Sequence, residues 1–334
     1  MLLSPNALTL IRVFLSPFVC WLALRPSFED RVAAFILFTF AALTDLWDGY
    51  VARKQKLESN FGKILDPIAD KVLVLSAMVT FSALHLYPFW LLVPILIREI
   101  FLTCVRLKFL AEGTVLAARR EGKLKTNVQI VSLIFTYVYL MLRDYGGSAE
   151  LIGLFYLLNY FMLGVALFFT LYSGYRFFAD NRIRLNWPET LATVFYVGHL
   201  PRMPGTYGSL FALLFILFFP ADPGIYLLIT IPVLVVGLWS AGAYAKKLKC
   251  HDPSAVVIDE VIGMLITFFA IPKSALTLTA GFVLFRLFDV LKPPPIRRIE
   301  KLPGGFGIVL DDVAAGLYSN LILLVLTYFL NALR

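Results

Sequence analysis

The chain has 334 residues, of which 60% are hydrophobic and only 16% charged. Soluble domains run at about 45–50% apolar and about 25% charged, so this composition excludes an ordinary soluble enzyme and, equally, a disordered chain. Lys and Arg number 30 against 22 Asp and Glu, a net charge of +8, which in so apolar a chain points to loops on an anionic membrane surface and not to nucleic acid.

Crossing about 30 Å of hydrocarbon takes roughly 20 helical residues. Six apolar runs of suitable length lie near 8–25, 31–52, 64–84, 88–110, 124–142 and 151–175. They are predicted to be helices, because backbone polar groups cannot stay unpaired in lipid. The opening MLLSPNALTLIRVF carries Arg12 within its apolar run and no small-residue cleavage site after it, so it reads as a retained first helix. Arg53, Lys54, Lys56, Lys63, Arg106, Lys108, Arg119, Arg120, Lys123, Lys125, Arg176, Arg182 and Arg184 fall at one end of this bundle, against Arg25, Arg31 and Arg143 at the other. The positive-inside bias then puts both termini of the six-helix unit in the cytoplasm.

FADNRIRLNWP, residues 178–188, is the first long polar stretch without an apolar run, and its Asn, Asp and Pro punctuation marks a linker between domains 1–177 and 189–334. Apolar runs follow near 206–219, 225–245, 261–271, 274–291 and 313–333. Two of these, 206–219 and 261–271, are short for a span, so re-entrant or buried segments are expected among them. The predicted fold is an all-α integral membrane protein: a six-transmembrane-helix bundle, then a second helical membrane domain of about four to five hydrophobic segments. Cys20, Cys104 and Cys250 are too far apart for a metal motif or a disulfide framework.

The first chemical signal is DLWDGYVARKQKLESNFGKILDPIAD, residues 45–70. Asp45 and Asp48 are spaced i,i+3 on one predicted helix, and Asp66 and Asp70 i,i+4 on the next, so each pair shares a face. A lone acidic residue in a membrane helix costs on the order of 2.5–3.5 kcal/mol, less near the interface. Four carboxylates also repel one another, so a cation must offset them, and hard oxygen donors suit one or two Mg²⁺ or Mn²⁺ ions. Gly49, Ala52 and Gly62 leave room for a ligand close to backbone, and Arg53 can neutralise a phosphate. The pattern reads as a site for a metal-bound diphosphate at the membrane surface. A cation transporter also uses intramembrane carboxylates, but it favours the bilayer middle, whereas these stand at one end.

The same string resembles the DxxDGxxAR(x)8GxxxDxxxD motif of CDP-alcohol phosphatidyltransferases at all eight fixed positions, and the resemblance covers roughly residues 1–177. It implies that Asp45, Asp48, Asp66 and Asp70 hold the metals, that Gly49, Ala52, Arg53 and Gly62 line the CDP site, and that Asp70 is the general base. Asn6, Thr9 and Arg12 of PNALTLIR, and GKLKT at 122–126, resemble the phosphatidylglycerophosphate synthase branch. That implies CDP-diacylglycerol as donor and glycerol 3-phosphate as acceptor, its phosphate met by Lys123 and Lys125 with Arg98, Arg106 and Arg119 nearby. A basic pocket favours an anionic acceptor over neutral inositol or serine; inositol phosphate stays open as another acceptor.

In the second half the polar residues gather in MPGTYGS (203–209), HDPSAVVIDE (251–260), RLFDVLKPPPIRR (286–298) and GGFGIVLDD (304–312). Asp259, Glu260, Asp289, Asp311 and Asp312 are of the type that holds hard metals, and Arg286 and Lys292 of the type that meets phosphate. If the apolar runs alternate across the membrane, all four clusters lie on the cytoplasmic side. Together they resemble phosphatidylglycerophosphatase A across roughly 187–333, through PGTYGS, DExxG, RxxDxxKPxPIR and GGxGIxxDD. The resemblance implies a Mg²⁺-dependent phosphomonoesterase in which Asp259, Glu260, Asp289, Asp311 and Asp312 are ligands or acid/base groups, with Asp259, Glu260, Asp289 and Asp312 on the metal. Attack by water and an aspartyl-phosphate route both stay open. His199 and Arg202, in HLPRMPGT, are given no role, and His251 reads as a loop residue.

The two resemblances imply consecutive enzymes at a bacterial-type cytoplasmic membrane, multi-pass, with both active sites facing the cytoplasm. Phosphatidylglycerophosphate is the product of the first and the substrate of the second. Membrane lipid is the expected partner, nucleic acid is not, and monomer and homodimer both stay open.

Overall fold

The computed structural model describes the backbone of residues 5–55, 60–114 and 120–332, and the side chains of 12–43, 71–114, 122, 124–329 and 332. Every regular element among the described residues is helical. Helices α1 (Pro5–Leu24), α2 (Phe28–Gln55), α3 (Asn60–Ala83), α4 (Phe89–Ala111), α5 (Arg120–Tyr145) and α6 (Ala149–Asn181) coincide with the six apolar runs of the first half. Next come α7 (Trp187–Ala192), a 3₁₀ turn at Val197–His199, α8 (Pro204–Ile216) and α9 (Pro223–Leu248). The last are α10 (Ile258–Thr267), α11 (Ala275–Leu291), α12 (Ile296–Ile299) and α13 (Gly305–Ala332). Leu124–Tyr145, Ala149–Asn181, Pro223–Leu248 and Gly305–Phe329 are long and apolar enough to cross a membrane, and they mark the chain as a membrane protein.

The chain divides into two compact units, Met1–Thr103 with Thr114–Ile183, and Cys104–Gly113 with Arg184–Arg334. In the first, α1 packs on α2 and α3, and α5 on α2 and α6. Phe38, Met78, Phe81, Leu133 and Tyr137 are fully buried there, with the Phe81 and Tyr137 rings edge to face at 4.8 Å. Buried polar groups satisfy one another, as an apolar surround requires. Tyr87 Oη lies 2.6 Å from Thr136 Oγ1, which donates to Asn159 Oδ1 at 2.7 Å. Arg31 pairs with Asp144, tying α2 to α5. Ser148 caps the start of α6, and Arg182 ends it in the left-handed region, inside the predicted linker.

In the second unit α10 is packed by α8, α9, α11 and α13. Ten residues rise about 15 Å, half a hydrocarbon layer, so α10 is too short to cross alone. Its C-terminal carbonyls therefore need partners inside the protein. Asn320 of α13 supplies them, its Nδ2 donating to Thr267 O at 3.0 Å and Phe269 O at 2.8 Å. Met264, Leu265, Phe268, Phe285 and Leu323 fill the core around it.

The last helix starts at Gly305, eight residues before the predicted run at 313. Hydropathy counts Asp311 and Asp312 against a span, but both are buried inside this unit and therefore fit within the helix. The α10–α13 crossing depends on two glycines. A β-carbon on Gly263 would stand 2.8 Å from Asp312 O, and one on Gly316 would overlap Gly263 O. Without side chains at these points, the two backbones meet directly.

Candidate active site

The four polar clusters of the second half surround one cavity of about 300 Å³. Met203, Gly205 and Thr206 come from the start of α8, Asp252 and Ser254 from the loop before α10, and Asp259 and Glu260 from the first turn of α10. Arg286 and Asp289 of α11, Lys292 just after it, and Asp311 and Asp312 of α13 complete the wall. Every residue predicted for this half is therefore on a single site.

Within the cavity the carboxylates divide. Asp259, Glu260 and Asp312 each offer an oxygen within 4.8 Å of the others. Asp289 is turned aside to Arg286, 2.7 Å from its Nη1, and lies outside that group of three. Asp311 accepts from Lys292 Nζ at 2.7 Å, and Glu300 accepts from the same ammonium at 2.8 Å. One set of acids converges on itself, while the other orients the two cations.

Burial pushes the Asp259 carboxyl up to about 6. Burial, then the neighbouring Asp259, holds Glu260 well above the usual carboxylate range. Burial alone would lower the Lys292 ammonium, but its bonds to Asp311 and Glu300 outweigh that and hold it above its ordinary value. Glu260 Oε2 is buried without a hydrogen-bond partner. Three converging acids, with only the Arg286 guanidinium 3.7 Å from Glu260 Oε1 as a counter-charge to Glu260 and with Glu260 Oε2 left without a hydrogen-bond partner, fit a hard divalent cation.

The start of α8 is suited to an anion. Its first N–H groups and the positive end of its dipole lie on the cavity wall, beside Arg286 and Lys292. A β-carbon on Gly205 would overlap Glu260 Oε1, so any side chain there displaces that carboxylate. Gly205→Ala is expected to push the Glu260 carboxylate out of register and to lower phosphomonoester hydrolysis by about 10²-fold, the scale of a 1 Å misplacement. Phosphate release from a short-chain lipid phosphomonoester measures it, and a rate within threefold of the parent would show that Glu260 needs no such placement.

In the first unit Asp45 and Asp48 lie on α2, and Asp66 and Asp70 on α3. The side chains of these four, and of Asn6, Thr9, Gly49, Ala52, Arg53, Gly62 and Lys123, lie outside the described residues, as does the whole of Arg119. Arg12 is buried in α1. Arg106 sits further along α4, in the segment 104–113 that groups with the second unit.

Arg98 and Lys125 are brought together by a residue that sequence reasoning missed. Glu99 Oε1 accepts from Lys125 Nζ and, at 2.8 Å, from Arg98 Nη1. Lys71 Nζ lies 3.5 Å from Glu99 Oε2. The sequence signal was an acid inside an apolar run, in LIREIF, hidden by the adjacent Arg98. Asp252 and Ser254 were missed for a similar reason, since HDPS reads as an ordinary turn. His199 now has a setting, with Nε2 3.3 Å from Glu189 Oε1 and its ring stacked on Tyr196. Glu189 also pairs with Lys108 and, at 3.8 Å, with Lys247. His251 is exposed and off the cavity wall.

Comparison with known proteins finds two families in the chain. Residues 2–172 match CDP-alcohol phosphatidyltransferase, and residues 190–327 match phosphatidylglycerophosphatase A. A Bacillus subtilis CDP-diacylglycerol--glycerol-3-phosphate 3-phosphatidyltransferase is 36% identical over 189 residues, 53% of this chain and 94% of that protein. Phosphatidylglycerophosphatase A of Escherichia coli is 38% identical over 147 residues, 42% of this chain and 84% of that protein. A Bacteroides thetaiotaomicron protein provisionally named a phosphatidylinositol-3-phosphatase is 38% identical over 149 residues, 41% of this chain and 92% of that protein. The chain belongs, through its first half, to the CDP-alcohol phosphatidyltransferase family and, through its second, to the phosphatidylglycerophosphatase A family.

Proposed function

We propose that the chain makes phosphatidylglycerol in two consecutive steps: CDP-diacylglycerol and glycerol 3-phosphate give phosphatidylglycerophosphate and CMP, and hydrolysis then gives phosphatidylglycerol and phosphate. One observation carries this reading. The two families joined in the chain have names that place them in sequence on one lipid, the product of the first being the substrate of the second.

In the first step Asp70 takes the proton of a glycerol hydroxyl, whose oxygen then attacks the lipid-linked phosphorus of CDP-diacylglycerol as CMP leaves. Asp45, Asp48, Asp66 and Asp70 are four hard oxygen donors on two consecutive helices, a set suited to Mg²⁺ or Mn²⁺. Gly49, Ala52, Arg53 and Gly62 border the CDP, while Asn6, Thr9, Arg12, Arg98, Arg106, Arg119, Lys123 and Lys125 serve the substrates' charged groups.

In the second step Arg286, Lys292 and the opening N–H groups of α8 seat the phosphate, and Asp289 and Asp311 aim the two cations. Asp259, Glu260 and Asp312 are the residues that would hold Mg²⁺. When bound, the ion supplies positive charge to the phosphoryl oxygens and eases ionisation of water. The basic residues gathered at one end of the apolar runs, Arg53, Lys54, Lys56 and Lys63 among them, support a multi-pass arrangement of six helices and then four to five segments, with the sites facing the cytoplasm.

The elevated Asp259 and Glu260 carboxyls set a pH dependence. Below about 6 a proton occupies Asp259, so a cation must displace it, and affinity for Mg²⁺ rises with pH through that value. The half-saturating Mg²⁺ for hydrolysis is expected to be about fourfold higher at pH 5.5 than at 7.5, the effect of one proton displaced from a group that titrates at about 6. The metal-free fold has the opposite trend. A carboxyl raised in the folded state binds protons that the unfolded chain does not, so this stabilisation is present at low pH and lost as pH rises through about 6. Identical Mg²⁺ titrations at the two pH values would contradict the assignment.

Radiolabelled glycerol 3-phosphate, CDP-diacylglycerol and Mg²⁺ with the purified chain in detergent test the whole reading. Thin-layer chromatography is expected to show labelled phosphatidylglycerol. Labelled phosphatidylglycerophosphate alone would remove the second step. The Bacteroides thetaiotaomicron relative's name favours one competing reading, an inositol phosphate acceptor with hydrolysis of the matching lipid. Label incorporated from inositol phosphate and not from glycerol 3-phosphate would establish it.

A further inference from the structure

Six acids line the cavity of the second unit, and five of them have partners. Asp259, Glu260 and Asp312 converge on one another, Asp289 is bound to Arg286, and Asp311 to Lys292. The sixth, Asp252, stands in the loop before α10 and is accessible from the cavity. Among the described residues no hydrogen bond or ion pair holds its carboxylate. Lys292 is the charged group that acts on it most strongly, so Asp252 stands on the Lys292 side of the cavity. Burial at the wall raises its carboxyl above the ordinary carboxylate value, against the pull of Lys292, as expected of an anion short of water and without a bonded donor.

The loop that carries it is fixed. Val256 N donates to Pro253 O at 2.9 Å, closing a turn directly after Asp252, and Val257 N donates to Ala192 O of α7 at 2.9 Å. Two glycines let neighbouring segments press on the same loop. A β-carbon on Gly198 would overlap Ala255 O, and one on Gly208 of α8 would stand 2.8 Å from Val257 Cβ. A carboxylate on a loop held in this way can select a small group by position, which one on a loose loop cannot.

A free carboxylate beside a phosphate seat opposes the phosphate by like charge. The arrangement therefore favours a substrate that brings a donor for it, because an acid that accepts from the ligand gains a charged hydrogen bond and discriminates against ligands without that donor. The headgroup of phosphatidylglycerophosphate has one hydroxyl, the secondary hydroxyl of its glycerol. It stands on the carbon next to the one that carries the phosphate to be removed, so it is brought to the wall beside whichever cation holds that phosphate. Asp252 is the acceptor on the wall beside Lys292.

We infer that Asp252 recognises the glycerol headgroup: its carboxylate accepts a hydrogen bond from the secondary hydroxyl and sets the preference for a glycerol phosphate ester over esters that lack this hydroxyl. The inference adds a specificity-determining residue to the cavity and rests on the reading that the second half hydrolyses phosphatidylglycerophosphate.

Phosphate release by the full chain, in detergent with Mg²⁺, is compared for two short-chain lipids: phosphatidylglycerophosphate, and the same lipid with propane-1,3-diol in place of the headgroup glycerol, which lacks only the secondary hydroxyl. The parent is expected to favour the first by at least about tenfold in kcat/KM, the scale of one hydrogen bond to a charged group. Asp252→Ala is expected to bring that ratio below about threefold, chiefly through loss on the glycerol lipid. Asp252→Asn, whose amide oxygen can still accept, is expected to fall between the two. General damage to the cavity slows both lipids together and leaves the ratio where it was. A parent ratio below about threefold, or a parent preference that survives in Asp252→Ala, would overturn the inference and leave hydrolysis of phosphatidylglycerophosphate standing. A parent that releases phosphate from neither lipid would overturn the hydrolysis reading, and the inference with it. If Asp252→Ala is inactive on both lipids, Asp252→Asn decides: a reduced ratio supports the inference, and an unchanged ratio or inactivity on both overturns it.

Discussion

Asp259→Ala is expected to abolish hydrolysis of phosphatidylglycerophosphate, by about 10³-fold or more, while CMP release from the first half continues at the parent rate. Asp259 is one of three acids that converge within 4.8 Å, and a bound cation's charge on the transferring phosphoryl group is worth several kcal/mol, so losing about 4 kcal/mol of it corresponds to about 10³ in rate. The product balance is the sensitive readout. Label from glycerol 3-phosphate should stop at phosphatidylglycerophosphate and accumulate there. The variant is not expected to unfold, because removing one of several crowded buried carboxylates also removes repulsion and a desolvation cost. Supplying more Mg²⁺ should not restore turnover, since two acids remain where three are needed. Continued formation of phosphatidylglycerol at even a tenth of the parent rate would mean that the three acids are not the centre of hydrolysis.

The reciprocal substitution, Asp48→Ala, is expected to lower CMP release by a similar factor and to leave hydrolysis of supplied phosphatidylglycerophosphate unchanged. Asp48 is the second acid of a motif matched at all eight fixed positions, on the helix that carries Asp45. The parent chain should consume CDP-diacylglycerol and release phosphate, and each variant should do one of these and not the other. If either substitution silenced both reactions in a well-folded protein, a two-site description would fail.

Much of this was legible in the residues. A span of lipid demands helices, so apolar run length located α1 to α6 and α9 without further information. The acids of the second half were legible as a set because four short motifs are each too polar for the apolar segments around them. Their division of labour was not legible. Nothing in the string DExxG or RxxDxxK distinguishes Asp259, which faces other acids, from Asp289, which faces Arg286, since that difference arises only when α10, α11 and α13 pack.

Other features were hidden by the same limit on local reading. Glu99 is preceded by Arg98, and an adjacent pair of opposite charges reads as self-contained, whereas Glu99 also gathers cations from positions 71 and 125. The start of α13 was misplaced because hydropathy treats every aspartate as bound for water. The grouping of residues 104–113 with the second unit has no sequence signature either, because Lys108 and Glu189 meet only in the folded chain.

The α10–α13 crossing makes the carboxylate cluster more than a place for chemistry. Asp259 and Glu260 belong to one helix and Asp312 to the other, and the helices touch through Gly263 and Gly316. An ion gripped by all three acids would therefore act as a rivet through two distant stretches of chain, and its binding energy would be cohesion for the whole second unit. Scarcity of the ion would then be felt twice, as idle turnover and as a slackening of the helices that carry the site.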